Sequence, residues 1–330
     1  MSAVESRTIR FHEVGEPLDV LREEQTQIPD PGEGTIRVRV AATGLNPADW
    51  ELGRGFMPGT LPRGIGFDVS GTVDAIGDGV ADVAVGDLVF GSSDFAAQPS
   101  AGAADFAILN LWFAVPAGLD AVHAAVLPMV LQTAHWTLDL MNVKSGETVL
   151  IHGAGGMVGY AAVQLALRRG ARVIATAGPT FANDLEGFGA IVTPYGEGMV
   201  ERVRSLADGP IDHVLDTSRP NAGAIAALIE ITGDPTRIVT MSNHDEARSQ
   251  GARVNIDELI AAGGFPSSDF LTGYATLAAA GQFTIPVGEE IPARRVARRR
   301  RTQPVGSAAR KGRACAVARR PWPAERPGAA

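Results

Sequence analysis

Cysteine is almost missing from this chain: Cys315 stands alone among 330 residues. An intrachain disulfide is therefore impossible, and no cage of thiolates can hold a metal. Long apolar runs are missing as well, none approaching the roughly 20 residues that a membrane-spanning helix needs. The opening MSAVESRTIR has neither the charged region nor the apolar region of a secretory signal. The expectation is a cytoplasmic protein that does not enter a membrane. No internal repeat is evident. What remains is ordinary for a globular chain, with 45% hydrophobic and 20% charged residues, and its length suits two domains better than one core. The net charge of −8 conceals a split: residues 1–290 carry 17 Lys+Arg against 36 Asp+Glu, a balance of −19, and residues 291–330 carry 12 against 1, a balance of +11.

The centre of the sequence is the run from Thr148 to Thr176, TVLIHGAGGMVGYAAVQLALRRGARVIAT, which reads as strand, glycine turn, helix and second strand. Val149, Leu150 and Ile151 form a short buried strand, and Ala161, Ala162, Gln164, Leu165, Ala166 and Leu167 continue as a helix with an apolar stripe, ended by Gly170. The turn holds Gly153, Gly155, Gly156 and Gly159. Glycine there permits a sharp turn, lets backbone approach a pyrophosphate, and lets helix pack closely on strand, while the first N–H groups of the helix face the anion. Val158 occupies the last place of a strict GxGxxG, so the spacing is GxxGxxG with Gly155 extra. Such a cluster is weak evidence by itself, and a tight turn without a ligand is the alternative. Set between an apolar strand and a helix that leads to a second strand, it points to dinucleotide binding through Gly153, Gly155, Gly156, Val158 and Gly159.

From Thr8 to about Asn110 the pattern is short strands with Gly and Pro turns: TIRVRV (35–40), VSGTVDAI (69–76) and the strand 88–90 after Gly86-Asp87. This predicts a mostly β domain. Near Ala117 the character changes: residues 120–140 are helical in composition with a break at Pro128, and the βαβ unit follows. Alternation continues through strands at 190–192, 213–216 and 237–241, a helix at 222–229 and another at 269–280. The fold class predicted is α/β with a parallel, doubly wound sheet. From Gly288 onward the Arg/Ala/Pro/Gly-rich sequence has no apolar periodicity and is expected to be disordered or poorly packed.

Four ordered motifs carry a family resemblance: GLNPADW (44–50), GIGFDVSGTVDAIGDGV with VGDLVFG (64–91), LPMVLQTAHWTL (127–138) and VKSGETVLIHGAGGMVGYAAVQLA (143–166). The chain resembles a zinc-independent medium-chain dehydrogenase/reductase of the quinone oxidoreductase type, from about Thr8 to Val287. The resemblance implies a GroES-like, mostly β domain over 1–124 with 265–290 returning to it, a Rossmann domain over 125–264, and a basic tail over 291–330. Zinc-dependent relatives place a cysteine where this chain has Leu45 or Asn46, a His-Glu pair where it has Phe67-Asp68, and often a four-cysteine lobe after the position of Phe90. No metal site is therefore expected; His135 and His152 are read as packed or hydrogen-bonded histidines, and Asp68 as a partner within the β domain. The family ends in an apolar helix and strand, which GQFTIPV (281–287) begins and the tail does not continue. A reading-frame change near Gly288 is one hypothesis, which translation of the other two frames tests; a basic tail for nucleic acid is the other.

With no metal, flavin or nucleophile motif, the nicotinamide itself must carry the chemistry. The resemblance implies reduction of a quinone or α,β-unsaturated carbonyl, with Asn46, Asp49 and Thr133 as the catalytic candidates. Asn46 is read either as a donor to the carbonyl or ribose or as an Asn-Pro turn, and Asp49 as a supporting partner or a helix cap. NADPH is the expected cofactor, because the end of the second strand reads Thr176-Ala177-Gly178-Pro179-Thr180, without the carboxylate that holds a ribose 2′-OH. Thr176, Thr180 and Tyr195 are the candidates there, Tyr195 matching a family tyrosine beside the phosphate or standing as an exposed loop residue. Two other classes stay open: a nucleotide-binding protein with little turnover, and nucleic-acid binding through the tail. A homodimer is the expected assembly.

Overall fold

β-branched residues at alternate positions, Ile36, Val38 and Val40, fix IRVRV (36–40) as a strand with one apolar face. The computed structural model describes residues 3–94, 101–291 and 314–318. In chain order these form β1 (Val4–Phe11), α1 (Pro17–Val20), β2 (Arg22–Ile28), β3 (Ile36–Leu45), α2 (Pro47–Gly53), β4 (Arg63–Gly64), β5 (Asp68–Ile76), β6 (Leu88–Ser93), β7 (Phe106–Ala114), α3 (Ala121–Ala124) and α4 (Pro128–Leu140). Next come β8 (Thr148–His152), α5 (Met157–Arg168), β9 (Arg172–Thr176), α6 (Ala182–Phe188), β10 (Ile191–Thr193), α7 (Met199–Ala207), β11 (His213–Asp216), α8 (Ala224–Thr232), β12 (Ile238–Thr240), α9 (His244–Gln250), β13 (Arg253–Val254) and α10 (Asn255–Ala261). The chain closes with α11 (Phe270–Ala279), β14 (Val287–Glu290) and β15 (Ala314–Ala318). Two units divide it: a barrel unit, up to Met129 with Thr272–Gln282 and the residues from Pro286 on, and a sheet unit of Val130–Leu271 with Phe283–Ile285.

In the barrel unit the larger sheet has the order β14-β15-β3-β5-β6-β7, and β3 pairs with β7 as well. That second pairing closes β3, β5, β6 and β7 on themselves, which removes open edges. Ile36, Val38 and Val40 meet Val69, Val73, Val89, Ala107 and Leu109 inside. Register shifts within the β3–β5 pairing, at 37/38 and 40/42, twist β3. A three-stranded sheet, β2-β1-β4, covers a second cluster of Ile9, Phe11, Leu45, Leu52 and Ile65. At the end of β3 the chain meets Asn46-Pro47, and a proline in the first turn presets the φ of α2.

The tail departs from the sequence expectation. Ala314–Ala318 forms a strand, antiparallel to β3 from Ala42 to Leu45 and parallel to β14. ACAVA is an uncharged run inside the arginine-rich stretch, and β3 offers main-chain hydrogen-bonding groups on the side not used by β5 over these residues, so the pairing needs no apolar periodicity. Most of the arginine run, and with it the expectation of disorder and of nucleic-acid binding, lies outside the described residues.

The sheet unit has the strand order β10-β9-β8-β11-β12-β13, all parallel. This is the doubly wound arrangement expected. β8 is buried along its whole length, as a central parallel strand must be. On one face Leu150, Ile174, Val214 and Ile238 pack with Val203 of α7 and Ile225 and Leu228 of α8. α5 lies beside β8 and β9. It starts at Met157, with Gly156 as its N-cap, earlier than the apolar stripe suggests. Chain order runs outward from β8 to β10 and then crosses back to β11, so the topological switch point lies between β8 and β11. Ligands of open α/β sheets bind outside the carboxyl ends of strands at such a point. Among the described residues no helix is long and apolar enough to cross a membrane.

Candidate functional site

β8 ends in His152, and the chain must turn at once into α5. Gly153 takes φ +83°, a left-handed conformation, and a Cβ there would stand 2.6 Å from the Ser218 nitrogen. Gly159, in the first turn of α5, allows close packing: its Cβ would lie 2.5 Å from Thr217 Oγ1 and 2.8 Å from Ala154 Cα. The fold alone explains these two glycines. It does not explain Gly155 and Gly156. A Cβ on Gly155 would find its nearest neighbour at 3.9 Å, the Gly178 nitrogen, and one on Gly156 at 3.5 Å, the Gly153 carbonyl oxygen. Both are ordinary contacts, so packing within this chain leaves room for side chains that the sequence withholds.

The loop is held firmly around that space. Gly153 N–H donates to Thr176 Oγ1 at 3.1 Å, and Ala154 N–H to the Thr176 carbonyl at 2.9 Å. Thr217 Oγ1 lies 2.9 and 3.0 Å from the carbonyl oxygens of His152 and Gly153. The Gly156 N-cap offers no side-chain oxygen to α5. The N–H groups of Met157, Val158 and Gly159 thus have no partner within the helix, and its positive end opens onto the loop. A loop with two side chains withheld and a helix start uncapped fits a pyrophosphate.

At the carboxyl ends of β11 and β12 a buried network fixes the neighbouring loops. Asp216 accepts from Thr240 Oγ1 and Asn243 Nδ2, each at 2.7 Å, and from Ser218 N–H at 3.0 Å, while Asn243 Oδ1 accepts from Asn221 N–H at 2.8 Å. Sequence reasoning missed Asp216, Thr217, Ser218 and Asn243. The signal available was the polar Asp-Thr-Ser that ends HVLD, in a strand that the switch-point rule sets next to β8. His152 is buried with Nδ1 2.7 Å from Thr176 Oγ1. Burial lowers its pKa, so it stays neutral and serves the loop as a packed partner.

Thr176 is fully buried, and its hydroxyl faces His152 and Gly153 rather than outward. Thr180 is exposed, past Gly178-Pro179. Tyr195 is 61% exposed, and its hydroxyl is 3.6 Å from where a Gly178 Cβ would be. The sheet unit therefore brings Gly178 and Tyr195 together at the exit of β9. Val158 is half-buried at the second position of α5. Thr133 belongs to α4 of the same unit, half-buried, its carbonyl accepting from Thr137 Oγ1 at 2.7 Å.

The barrel unit gathers Asn46, Asp49 and Asp68. Asp49, fully buried, accepts from Asn46 N–H at 2.7 Å, Gly66 N–H at 2.6 Å and Phe67 N–H at 3.1 Å. It ties the start of α2 to the chain entering β5. Burial pushes its carboxyl up to about 6 against the pull of those three donors. Asp68, also buried, accepts from Asn46 Nδ2 at 3.0 Å and Met129 N–H at 3.1 Å. Its carboxyl is raised well above the usual range, first by burial and then by the charge of Asp49, with the Asn46 bond opposing. Half-buried Asn46 is the member of this trio with access to solvent. Among the described residues no three His, Cys, Asp or Glu side chains group to hold a metal.

A closed β barrel with a doubly wound dinucleotide sheet defines the class of medium-chain dehydrogenases/reductases. Residues 32–117 match the alcohol dehydrogenase GroES-like domain. The chain is 30% identical over 261 residues to a chloroplastic quinone-oxidoreductase homolog of Spinacia oleracea, covering 73% of this chain and 79% of that one. It is 36% identical over 257 residues to a quinone oxidoreductase of Sus scrofa, covering 75% and 71%. The solved quinone oxidoreductase from Coxiella burnetii shares the fold, with a TM-score of 0.78 over 96% of this chain and 100% of that one at 24% identity. The chain belongs to the quinone oxidoreductase family within this nicotinamide-dependent superfamily.

Proposed function

We propose that the protein is an NADPH-dependent reductase of quinones or α,β-unsaturated carbonyls that works without a metal. The observation that carries the nucleotide half of this reading is the space beside Gly155 and Gly156, which nothing in the packing of the described residues requires. Gly153, Gly155, Gly156, Val158 and Gly159 would hold the pyrophosphate through main-chain N–H groups. The phosphorylated cofactor is favoured because 176–180 carries no carboxylate to repel a 2′-phosphate, with Tyr195 beside Gly178. When bound, the reduced nicotinamide supplies a hydride, so the protein needs no redox group of its own.

In this reading Asn46 donates a hydrogen bond to the substrate oxygen that gains charge, or to the ribose, and Asp49 and Asp68 position it. Thr133 contributes a hydroxyl from α4. Zinc independence rests on the donor set: Leu45, Asn46 and Phe67 stand where zinc-dependent relatives carry ligands, and none of them supplies a thiolate or imidazole. The unit in solution is taken to be a homodimer, which sedimentation tests. The deciding experiment is NADPH oxidation across a panel of quinones and enones, with and without a strong chelator. Turnover that survives the chelator, with NADPH bound more tightly than NADH, is expected. Tighter NADH binding, or complete loss of activity on chelation restored by zinc, would overturn the assignment.

A further inference from the structure

The corner at the end of β9 is poor in positive charge. From residue 173 to residue 201 the sequence contains no lysine or arginine, while Asp184, Glu186, Glu197 and Glu201 are acidic. Lysine is scarce throughout: Lys144 and Lys311 are the two in the chain. A dianionic phosphate at this corner would find no cation in that stretch, and Arg202 is the first one that follows it.

Arg202, on α7, reaches back over the loop that leaves β10. Its Nε–H donates to Thr193 Oγ1 at 3.3 Å, Nη1 to the Glu197 carbonyl at 2.7 Å and Nη2 to the Pro194 carbonyl at 2.9 Å. Thr193 lies opposite Thr176 in the β9–β10 pairing, and its carbonyl accepts from Ala177 N–H at 3.1 Å, so the grip is next to the exit of β9. The loop needs holding. Gly196 and Gly198 adopt positive φ, and Tyr195, 61% exposed, gains little from packing. Its direction is set by the backbone at Pro194 and Glu197, the two carbonyls that the guanidinium grips. Gly198 also leaves space for the arginine: a Cβ there would stand 2.9 Å from Nη1.

We propose that Arg202 is a specificity-determining residue for the 2′-phosphate of the dinucleotide. It positions the Tyr195 hydroxyl beside Gly178 and supplies the positive charge that residues 173–201 lack. The inference rests on the reading of the glycine loop as an NADP(H) site and names how this chain distinguishes the two cofactors. Arg202 is a positioning residue, acting through Tyr195 and through its charge at short range.

The test is equilibrium titration of the full chain with NADPH and, separately, NADH, followed by nucleotide fluorescence, for wild type, Arg202→Met, Arg202→Lys, Tyr195→Phe and Tyr195→Phe/Arg202→Met. Arg202→Met is expected to weaken NADPH about tenfold while NADH changes less than about twofold. Arg202→Lys keeps the charge but not the three-pronged grip, and is expected to fall between wild type and Arg202→Met. The double variant should lose less than the product of the two single losses, because one residue acts through the other. Equal weakening of NADPH and NADH in Arg202→Met and Arg202→Lys would show a merely structural role and overturn the inference, as would unchanged affinities in both. Wild type that does not prefer NADPH would overturn the cofactor reading itself, and the inference with it. The conservative Arg202→Lys and Tyr195→Phe variants keep the test decisive if Arg202→Met fails to fold.

Discussion

In the sheet unit the candidate site is outlined by side chains that are withheld, at Gly155 and Gly156. The barrel unit has a candidate site of its own, outlined by carboxylates that are buried and engaged, at Asp49 and Asp68. A main-chain site can bind a phosphate without titrating groups. It contributes little to stability and loses little when a side chain is added where space exists. A site built on buried carboxylates is coupled to the fold, because Asp49 also holds three backbone N–H groups together and Asp68 fixes that of Met129. The difference lies in whether site and scaffold can be separated by mutation.

The largest effect separates them in the barrel unit by pH. Asp49 titrates near 6 in the folded chain, above its ordinary 3.8, so the folded state keeps a proton that the unfolded state releases. Stability from this group is present below the ordinary value and is lost as pH rises through the folded one. Asp49→Asn has no such proton. The stability advantage of wild type over Asp49→Asn should shrink by about 3 kcal/mol from about pH 3 to about pH 7, read by urea unfolding. A gap independent of pH would contradict the burial of Asp49 as an acid.

In the sheet unit the same separation is made by two glycines. Gly155→Val should weaken NADPH about a hundredfold, or about 2.7 kcal/mol, with melting temperature unchanged within about 2 °C. Gly159→Ala should instead cost about 2 kcal/mol of stability, because its Cβ would press on Thr217 and on the backbone of Ala154. If the two variants behave alike, the distinction between a withheld side chain and a packing glycine fails.

The smallest expected effect concerns Asn46. Asp68→Asn replaces an acceptor of the Asn46 amide with a side chain that can also donate, and should lower kcat about tenfold while KM moves less than about threefold. Asn46→Ala should fall at least as far, and the two losses should not add. Additive losses would show that Asp68 does not act through Asn46.

How much of this was legible in the sequence depended on whether the cause was local. β11 reads from HVLD alone and β8 from its apolar run, because buried parallel strands are continuous apolar segments. The start of α5 was harder, since a glycine N-cap carries no capping side chain to mark it. β2, REEQTQI, escapes notice because it buries only Ile28 and is held by main-chain pairing to β1. β15 escapes for the same reason at longer range, its partner β3 lying hundreds of residues away in sequence. The glycine loop was visible as a motif, but which of its glycines serve packing and which leave room depends on Ser218 and Thr217, delivered by another strand. Arg202 shows nothing in sequence, as its grip on Pro194 and Glu197 is a matter of loop geometry.

In the proposed complex a dinucleotide lies against the uncapped start of α5. Amide hydrogen exchange followed by mass spectrometry, with and without saturating NADPH, tests it at residues 155–159. Binding should slow exchange in that peptide, as the N–H groups of Met157, Val158 and Gly159 gain phosphate oxygens as acceptors. Unchanged exchange there, at a concentration where NADPH is demonstrably bound, would contradict it.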